Sequence, residues 1–196
     1  MLDDIRWIDD LSYKGYAQFQ NLFPKEAALD LLRWAQDLKE KEFFRQAEVG
    51  KGIRKQTIEE LRSDEIYWVE DWSGEVFVPY RDVLLKIQEK LRRDLFLPVK
   101  RFEGHIAHYE AGSFYVRHVD RHKVQPHRLI SSVLYLSDLL EGEGGELILY
   151  PLGKEPVVIR PHLGNVVLFQ SQIPHEVKAT KKSRWSLTSW FRDDVL

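Results

Sequence analysis

The segment "YVRHVD", residues 115–120, reads as an extended, half-buried strand that carries a histidine and an aspartate two positions apart. Side chains two apart on a strand stand on one face, so His118 and Asp120 lie side by side while Val119 points the other way. One imidazole and one carboxylate then address a single spot. A further histidine from a later strand would complete a facial set of two histidines and one carboxylate, which leaves three positions of a ferrous ion open. His175 is the best-placed third ligand, because it follows the strand-like run "NVVLFQS" through the short turn "QIP". Nine residues further on, Arg184 opens another strand-like run. Its planar guanidinium matches a carboxylate through two parallel charge-assisted hydrogen bonds, and a cationic anchor beside such a metal is what a bound keto-dicarboxylate needs.

The rest of the chain supplies elements able to hold these groups. From Arg101 onward, "FEGHIAHYEAG", "FYVRHVD", "LISSVLYLSD", "GELILYPL", "PVVIRP", "NVVLFQS", "HEVKAT" and "WSLTSWFRD" are short runs rich in β-branched and aromatic residues, parted by Gly, Pro and Asp turns. Eight such runs predict a sandwich or barrel. Upstream, "PKEAALDLLRWAQDLKEKEFF" starts with a proline suited to a first helical turn and repeats Ala28, Leu31, Leu32, Ala35 and Leu38 at helical spacing. A second helix is predicted in "VPYRDVLLKIQEKLRRDLF", with Val83, Leu84, Ile87, Leu91 and Leu95 as its apolar stripe and Pro98 beyond its end. The charged stretch between them predicts a partly irregular connection contributing one strand at Ile66 to Val69. Helices first and strands afterwards imply an α+β fold, a jelly-roll (double-stranded β-helix) core with N-terminal helices packed outside. The chain is expected to form a single domain over residues 1–196, helical support to about residue 98 and the jelly-roll from about 99.

Composition narrows the function classes. The 196 residues are 43% hydrophobic and 31% charged, enough for one sizeable core. Lys and Arg number 29 against 31 Asp and Glu, so no general basic field attracts nucleic acid or anionic lipid, though a local basic groove is compatible with that balance. Cysteine is absent, which removes disulfides, thiolate nucleophiles and Cys-based metal sites. The start, "MLDDIRWIDDLSYKGY", is acidic where a secretory signal is basic, and no long uninterrupted apolar segment occurs, so a cytoplasmic location is expected.

At these residues the chain resembles the Fe(II)- and 2-oxoglutarate-dependent oxygenases, and among them the prolyl hydroxylases that act on hypoxia-inducible factor and their bacterial counterparts. The resemblance spans about Glu48 to Arg192. It is carried in order by "VGKG", "RSDEIYWVE", "YVRHVD", "VLYLSD", "GGELILYP", "PHEV" and "RWSLTSW". It implies that His118, Asp120 and His175 hold iron and that Arg184 pairs with the distal carboxylate of 2-oxoglutarate, with Tyr135 binding that same carboxylate. It further implies that Tyr109 and Thr188 line the co-substrate pocket, that Trp190 forms its wall near the metal, and that Arg128 and Tyr115 lie beside the entrance used by a peptide. The cofactors implied are Fe(II), 2-oxoglutarate and O2 as co-substrates, and ascorbate.

The activity implied is hydroxylation of a prolyl residue in a protein or peptide, with succinate and CO2 as co-products. For bacterial members a translation factor such as elongation factor Tu is the partner suggested by analogy; no nucleic acid or membrane partner is expected. Two departures from the family pattern bear on substrate. The stretch "RHKVQPHR" after the aspartate is basic where the family continues with asparagine and proline, and it would lie at the mouth of the site. The chain ends soon after "WFRDD", so the C-terminal helix that animal members use in substrate recognition is expected to have no counterpart.

Alternatives on the same residues are a jelly-roll sensor that holds iron and 2-oxoglutarate without turnover, and an oxygenase of a free amino acid or other small molecule. Of the remaining histidines, His105 and His108 lie on one strand at odd spacing, face opposite sides and read as structural. His122, His127 and His162 sit in turn-like contexts and are expected to face solvent. The connection from Val49 to Glu65, with Gly50 and Gly52 at its start, is the candidate lid.

Overall fold

Periodicity in the N-terminal part becomes helix where apolar positions recur on one face. The computed structural model describes residues 2–47 and 61–195, so the greater part of the candidate lid lies outside the described residues. Helix α2 (Lys25–Glu40) buries Ala28, Leu31 and Ala35, with Leu32 and Leu38 at the margin of the same face. Pro24 sits immediately before the first helical turn with extended ψ rather than inside it. The helix stops four residues short of Phe44. Glu42 adopts φ +61°, and the Phe43 N–H reaches back to the Leu38 carbonyl at 3.0 Å, the closure of a left-handed C-terminal cap. Helix α3 (Val78–Asp94) has Pro79 in its first turn and buries Tyr80, Leu84, Ile87 and Leu91.

Two further elements come from the acidic start of the chain, helix α1 (Arg6–Tyr13) and strand β1 (Tyr16–Phe19). Trp7, Ile8 and Leu11 are buried against the core, but the eight-residue helix has no side-chain cap, and β1 exists through its pairing with a distant strand. After α2 come β2 (Arg45–Gln46) and β3 (Glu65–Trp68), the latter on the predicted apolar run. The eight C-terminal runs become β4 (Arg101–Tyr109), β5 (Tyr115–His118), β6 (Arg128–Tyr135), β7 (Leu147–Leu149), β8 (Val157–Ile159), β9 (Val166–Gln170), β10 (His175–Val177) and β11 (Arg184–Arg192).

The strands form two antiparallel sheets. The larger runs β1-β9-β6-β11-β4-β3-β2 and the smaller β5-β10-β7-β8. This is the expected α+β arrangement with a jelly-roll core. Strand β11, central in the larger sheet, is buried along almost all its length because both faces are covered. Its outer face presents Leu187 and Phe191 to the helices, where they pack with Leu31, Leu84 and Leu91. Its inner face carries Arg184, Ser186, Thr188 and Trp190 toward the space between the sheets. A fully buried leucine or phenylalanine contributes about 1.5–3 kcal/mol, so the helical layer fixes the larger sheet as a rigid wall for the site. Among the described residues no helix is long and apolar enough to cross a membrane.

Candidate active site

Strands β5 and β10 pair with His118 directly opposite His175, so the two imidazoles are cross-strand neighbours with ring centroids 4.2 Å apart. Asp120 lies just past the end of β5, where its N–H and that of Arg121 both donate to the Ser171 carbonyl, at 3.0 and 2.9 Å. Its carboxylate stands 3.8 Å from His118 Nε2 and 3.5 Å from His175 Nε2. One ligand atom from each of the three residues lies within 4.8 Å of the others.

Local bonds orient each donor. His118 Nδ1 meets the Val116 carbonyl at 2.8 Å and His175 Nδ1 meets that of Ile173 at 2.9 Å. A carbonyl only accepts, so both rings carry their proton on Nδ1 and turn a free Nε2 lone pair to the common point. Ser131 Oγ donates to Asp120 Oδ2 at 2.6 Å and is itself 2.8 Å from Ser171 Oγ, which holds the carboxylate in one orientation. Burial pushes the His118 imidazole down to about 3, so it is neutral near pH 7. Burial also works against ionisation of Asp120, but the adjacent imidazoles and the Ser131 hydroxyl outweigh it and keep the carboxyl below its ordinary range. A neutral imidazole and an ionised carboxylate are the forms that bind a divalent cation.

The triad opens into a cavity of about 910 Å³ between the sheets. Arg184, Tyr109, Thr188, Trp190, Arg128 and Tyr115 line the same cavity. Arg184 is 2% exposed; its Nε donates to the Gly145 carbonyl at 2.9 Å and its Nη1 to Ser186 Oγ at 3.1 Å. Among the described residues no carboxylate pairs with it. Gly145 allows this approach: its φ is +73°, and a Cβ there would stand 2.7 Å from Leu139 Cδ1 and 3.1 Å from Arg184 Cδ. Tyr135 is not part of the lining. The Arg184 guanidinium stands 5.4 Å from its ring, and its buried hydroxyl has no hydrogen-bond partner among the described residues. Burial pushes that phenol up to about 12, so it stays a neutral donor.

The two positions assigned to the peptide entrance are placed more tightly than expected. The Tyr115 ring stacks on His118 at 3.5 Å between centroids and 15° between planes, with the Arg62 guanidinium 4.3 Å from its ring centre. Arg128 is engaged twice, by Glu103 at 2.9 Å and by the face of Trp190 at 3.6 Å. His105 and His108 do face opposite ways: His108 stacks on Trp185 outside, while His105 lines the cavity between Trp68 and Trp190.

Sequence reasoning passed over Arg62, Asp64, Ser131 and Ser171. Arg62 and Asp64 form a buried two-pronged ion pair beside the triad, with bonds of 2.7 and 2.5 Å. Their spacing, R-x-D, is the same two-apart pattern that singled out His118 and Asp120. The serines gave no comparable signal, because their partners are remote in sequence.

Residues 104–192 match the family model described as the 2OG-Fe(II) oxygenase superfamily. The chain is 29% identical over 151 residues to a hypoxia-inducible factor prolyl hydroxylase of Caenorhabditis elegans, an alignment that takes in 69% of this chain and 20% of that protein. It thus spans about a fifth of that relative's length. Among solved structures it superposes on a Pseudomonas putida prolyl-4-hydroxylase with TM-score 0.88 and 29% identity, covering 100% of both chains. A Trichoplax adhaerens prolyl hydroxylase, solved with a hypoxia-inducible factor oxygen degradation domain peptide fragment, shares the fold at TM-score 0.84 and 22% identity, over 95% of this chain and 87% of that one. The match to the 2OG-Fe(II) oxygenase superfamily model thus takes in the strands that carry the triad and Arg184, and the relatives it resembles are named as prolyl hydroxylases.

Proposed function

We propose that the chain is an Fe(II)- and 2-oxoglutarate-dependent dioxygenase that hydroxylates a prolyl residue of a protein or peptide. The observation that carries this reading is the buried Arg184, without a carboxylate partner among the described residues, in the same cavity as His118, Asp120 and His175. A two-histidine-one-carboxylate set alone also suits a hydrolytic zinc site. A desolvated arginine is costly without a counter-charge, and a dicarboxylate bound at the metal provides it.

His118, Asp120 and His175 would hold the ion through Nε2, a carboxylate oxygen and Nε2. When bound, ferrous iron and 2-oxoglutarate supply the oxidation: one atom of O2 enters succinate as CO2 leaves, and the other enters the target C–H bond. The chain's own residues position and shield. Arg184 anchors the distal carboxylate, the Tyr135 hydroxyl donates to it, and Tyr109 and Thr188 shape the wall around it. Ser131 keeps the Asp120 carboxylate turned to the metal. Trp190 and the aromatic face of Tyr115 exclude water near the reacting bond. Arg128, braced by Glu103, lies where the polypeptide enters.

Similarity to proteins named as prolyl hydroxylases supports a prolyl target, and a translation factor such as elongation factor Tu is the first candidate. A cytoplasmic location accords with such a partner, and ascorbate would serve as reductant. The test incubates purified chain with ferrous iron, ascorbate, 2-oxoglutarate and candidate proteins, reading succinate and peptide masses. Substrate-stimulated succinate with one added oxygen on a proline supports the proposal. Binding of 2-oxoglutarate with no succinate would assign a sensor, and succinate without a modified proline on any candidate would remove the prolyl target.

A further inference from the structure

Building on the hydroxylase reading, we infer that the polypeptide taken by this site is acidic around its reactive segment and that the loop between β5 and β6 selects it by charge. The whole chain carries a net charge of −2, yet the described lip of the cavity is cationic. His122, Val124 and Gln125 of the loop line the mouth, and Arg121 and Lys123 are exposed beside them. Arg45 of β2 also lines the cavity and is exposed. Among the described residues none of these three cations has a carboxylate within ion-pair distance. Arg128 lines the cavity, and among the described residues it and the neighbouring guanidiniums of Arg101 and Arg192 share two carboxylates, Glu103 and Asp194. Among the described residues Glu70 lines the cavity, the carboxylate of its neighbour Asp71 is turned onto the Ser73 N–H at 2.8 Å, and Asp193 is engaged by His127 at the end of the loop at 2.7 Å.

The loop holds its charges in place. The Gln125 N–H donates to the His122 carbonyl and Arg121 Nε to that of Pro126, both at 2.9 Å, while Arg192 Nη1 grips Gln125 Oε1 at 2.9 Å. Arg121 and Lys123 follow Asp120 by one and three residues, which puts their backbone within about 10 Å of it, near one Debye length at physiological salt. A polypeptide threaded past the triad therefore feels them with little screening. Between the charges the lip exposes Phe43, Trp68 and Val124. That mixture suits the alternating side chains of an extended peptide, and the acidic balance of the whole chain works against a nucleic acid.

The test uses the full chain loaded with manganese and 2-oxoglutarate and fluorescent proline-containing peptides of matched length with Asp/Glu, Ser/Gln or Lys flanks. The acidic peptide should bind at least about tenfold tighter than the Lys-flanked one at low salt, with the gap closing as salt is raised. Arg121→Glu combined with Lys123→Glu should reverse the order while leaving 2-oxoglutarate affinity and circular dichroism unchanged, and Arg45→Glu should weaken it independently. Equal binding of the three peptides, or an order untouched by the charge reversals, would overturn the inference. So would a single-stranded oligonucleotide that binds as tightly as the acidic peptide and is lost with the same variants. Failure of hydroxylation on a tightly bound acidic peptide would count against the enzymatic reading and leave the charge selection standing.

Discussion

Replacing Arg184 with methionine isolates the anchor on which the functional reading depends. The guanidinium has five N–H donors; Gly145 takes the one on Nε and Ser186 takes one on Nη1, which leaves three for a ligand. That is enough for a two-pronged contact with one carboxylate. A hydrogen bond to a charged group is commonly worth about 1.5–3 kcal/mol, so losing one such bond should raise the Kd for 2-oxoglutarate roughly 10- to 150-fold, and losing the fork places the effect at the upper end. Methionine fills much of the stem's volume but leaves the Gly145 carbonyl unpartnered, at a stability cost of about 1–3 kcal/mol that a melting curve would register. The assay is equilibrium binding to manganese-loaded protein with 2-oxoglutarate and with 2-oxobutanoate, which keeps the chelating end and lacks the distal carboxylate. The substitution should weaken the first ligand strongly and the second hardly at all. Equal losses for both, or no loss for either, would show that Arg184 does not read the distal carboxylate.

Other consequences can be checked separately. Asp120→Ala should abolish metal-dependent turnover by deleting a ligand, and Ser131→Ala should weaken metal binding by about tenfold or more, with Ser131→Thr restoring it, as measured by manganese titration. Gly145→Ala forces a side chain into a left-handed backbone and against Arg184, so it should destabilise the fold by about 1–3 kcal/mol in urea melts and weaken 2-oxoglutarate binding. Asp64→Asn leaves the buried Arg62 charge uncompensated, and denaturation should show a loss of about 3–5 kcal/mol. Burial holds His105 well below its ordinary value, so below pH 6.5 the unfolded chain binds more protons there than the folded one. Stability should therefore fall as pH drops from about 6.5, by at most about 1.4 kcal/mol per pH unit from this group, and His105→Leu should flatten the slope measured between pH 7.5 and 5.5.

What the sequence made legible follows the range of the interactions involved. His118 and Asp120 were readable because strand periodicity is local, and His175 and Arg184 because each stands beside a strong strand signal. The eight C-terminal strands were visible for the same reason. Helix α1 was not, because an uncapped helix of about two turns around Trp7 and Leu11 is stabilised by packing rather than by its own pattern. Strand β1 depends on pairing with residues 166–169, far along the chain. The end of α2 at Glu40 is set by the left-handed conformation of Glu42, which glutamate seldom adopts and which no spacing rule foretells. The tight seating of Tyr115 on His118 and of Arg128 on Trp190 likewise comes from tertiary contacts. His105 illustrates a half-reading: odd spacing correctly separated it from His108, but only the closed sheet shows that its side is the cavity.

On the proposed function, dioxygen activated beside His118, Asp120 and His175 is the source of the oxygen delivered to a prolyl residue. The most direct measurement runs the reaction under isotopically heavy dioxygen in ordinary water, with the best-bound prolyl peptide, and analyses both products by mass. One heavy oxygen in succinate and one on the proline are expected. Light oxygen in both products would show that dioxygen is not the source of the added oxygen, and activity that zinc supports as well as ferrous iron would show that the site performs hydrolytic metal chemistry instead.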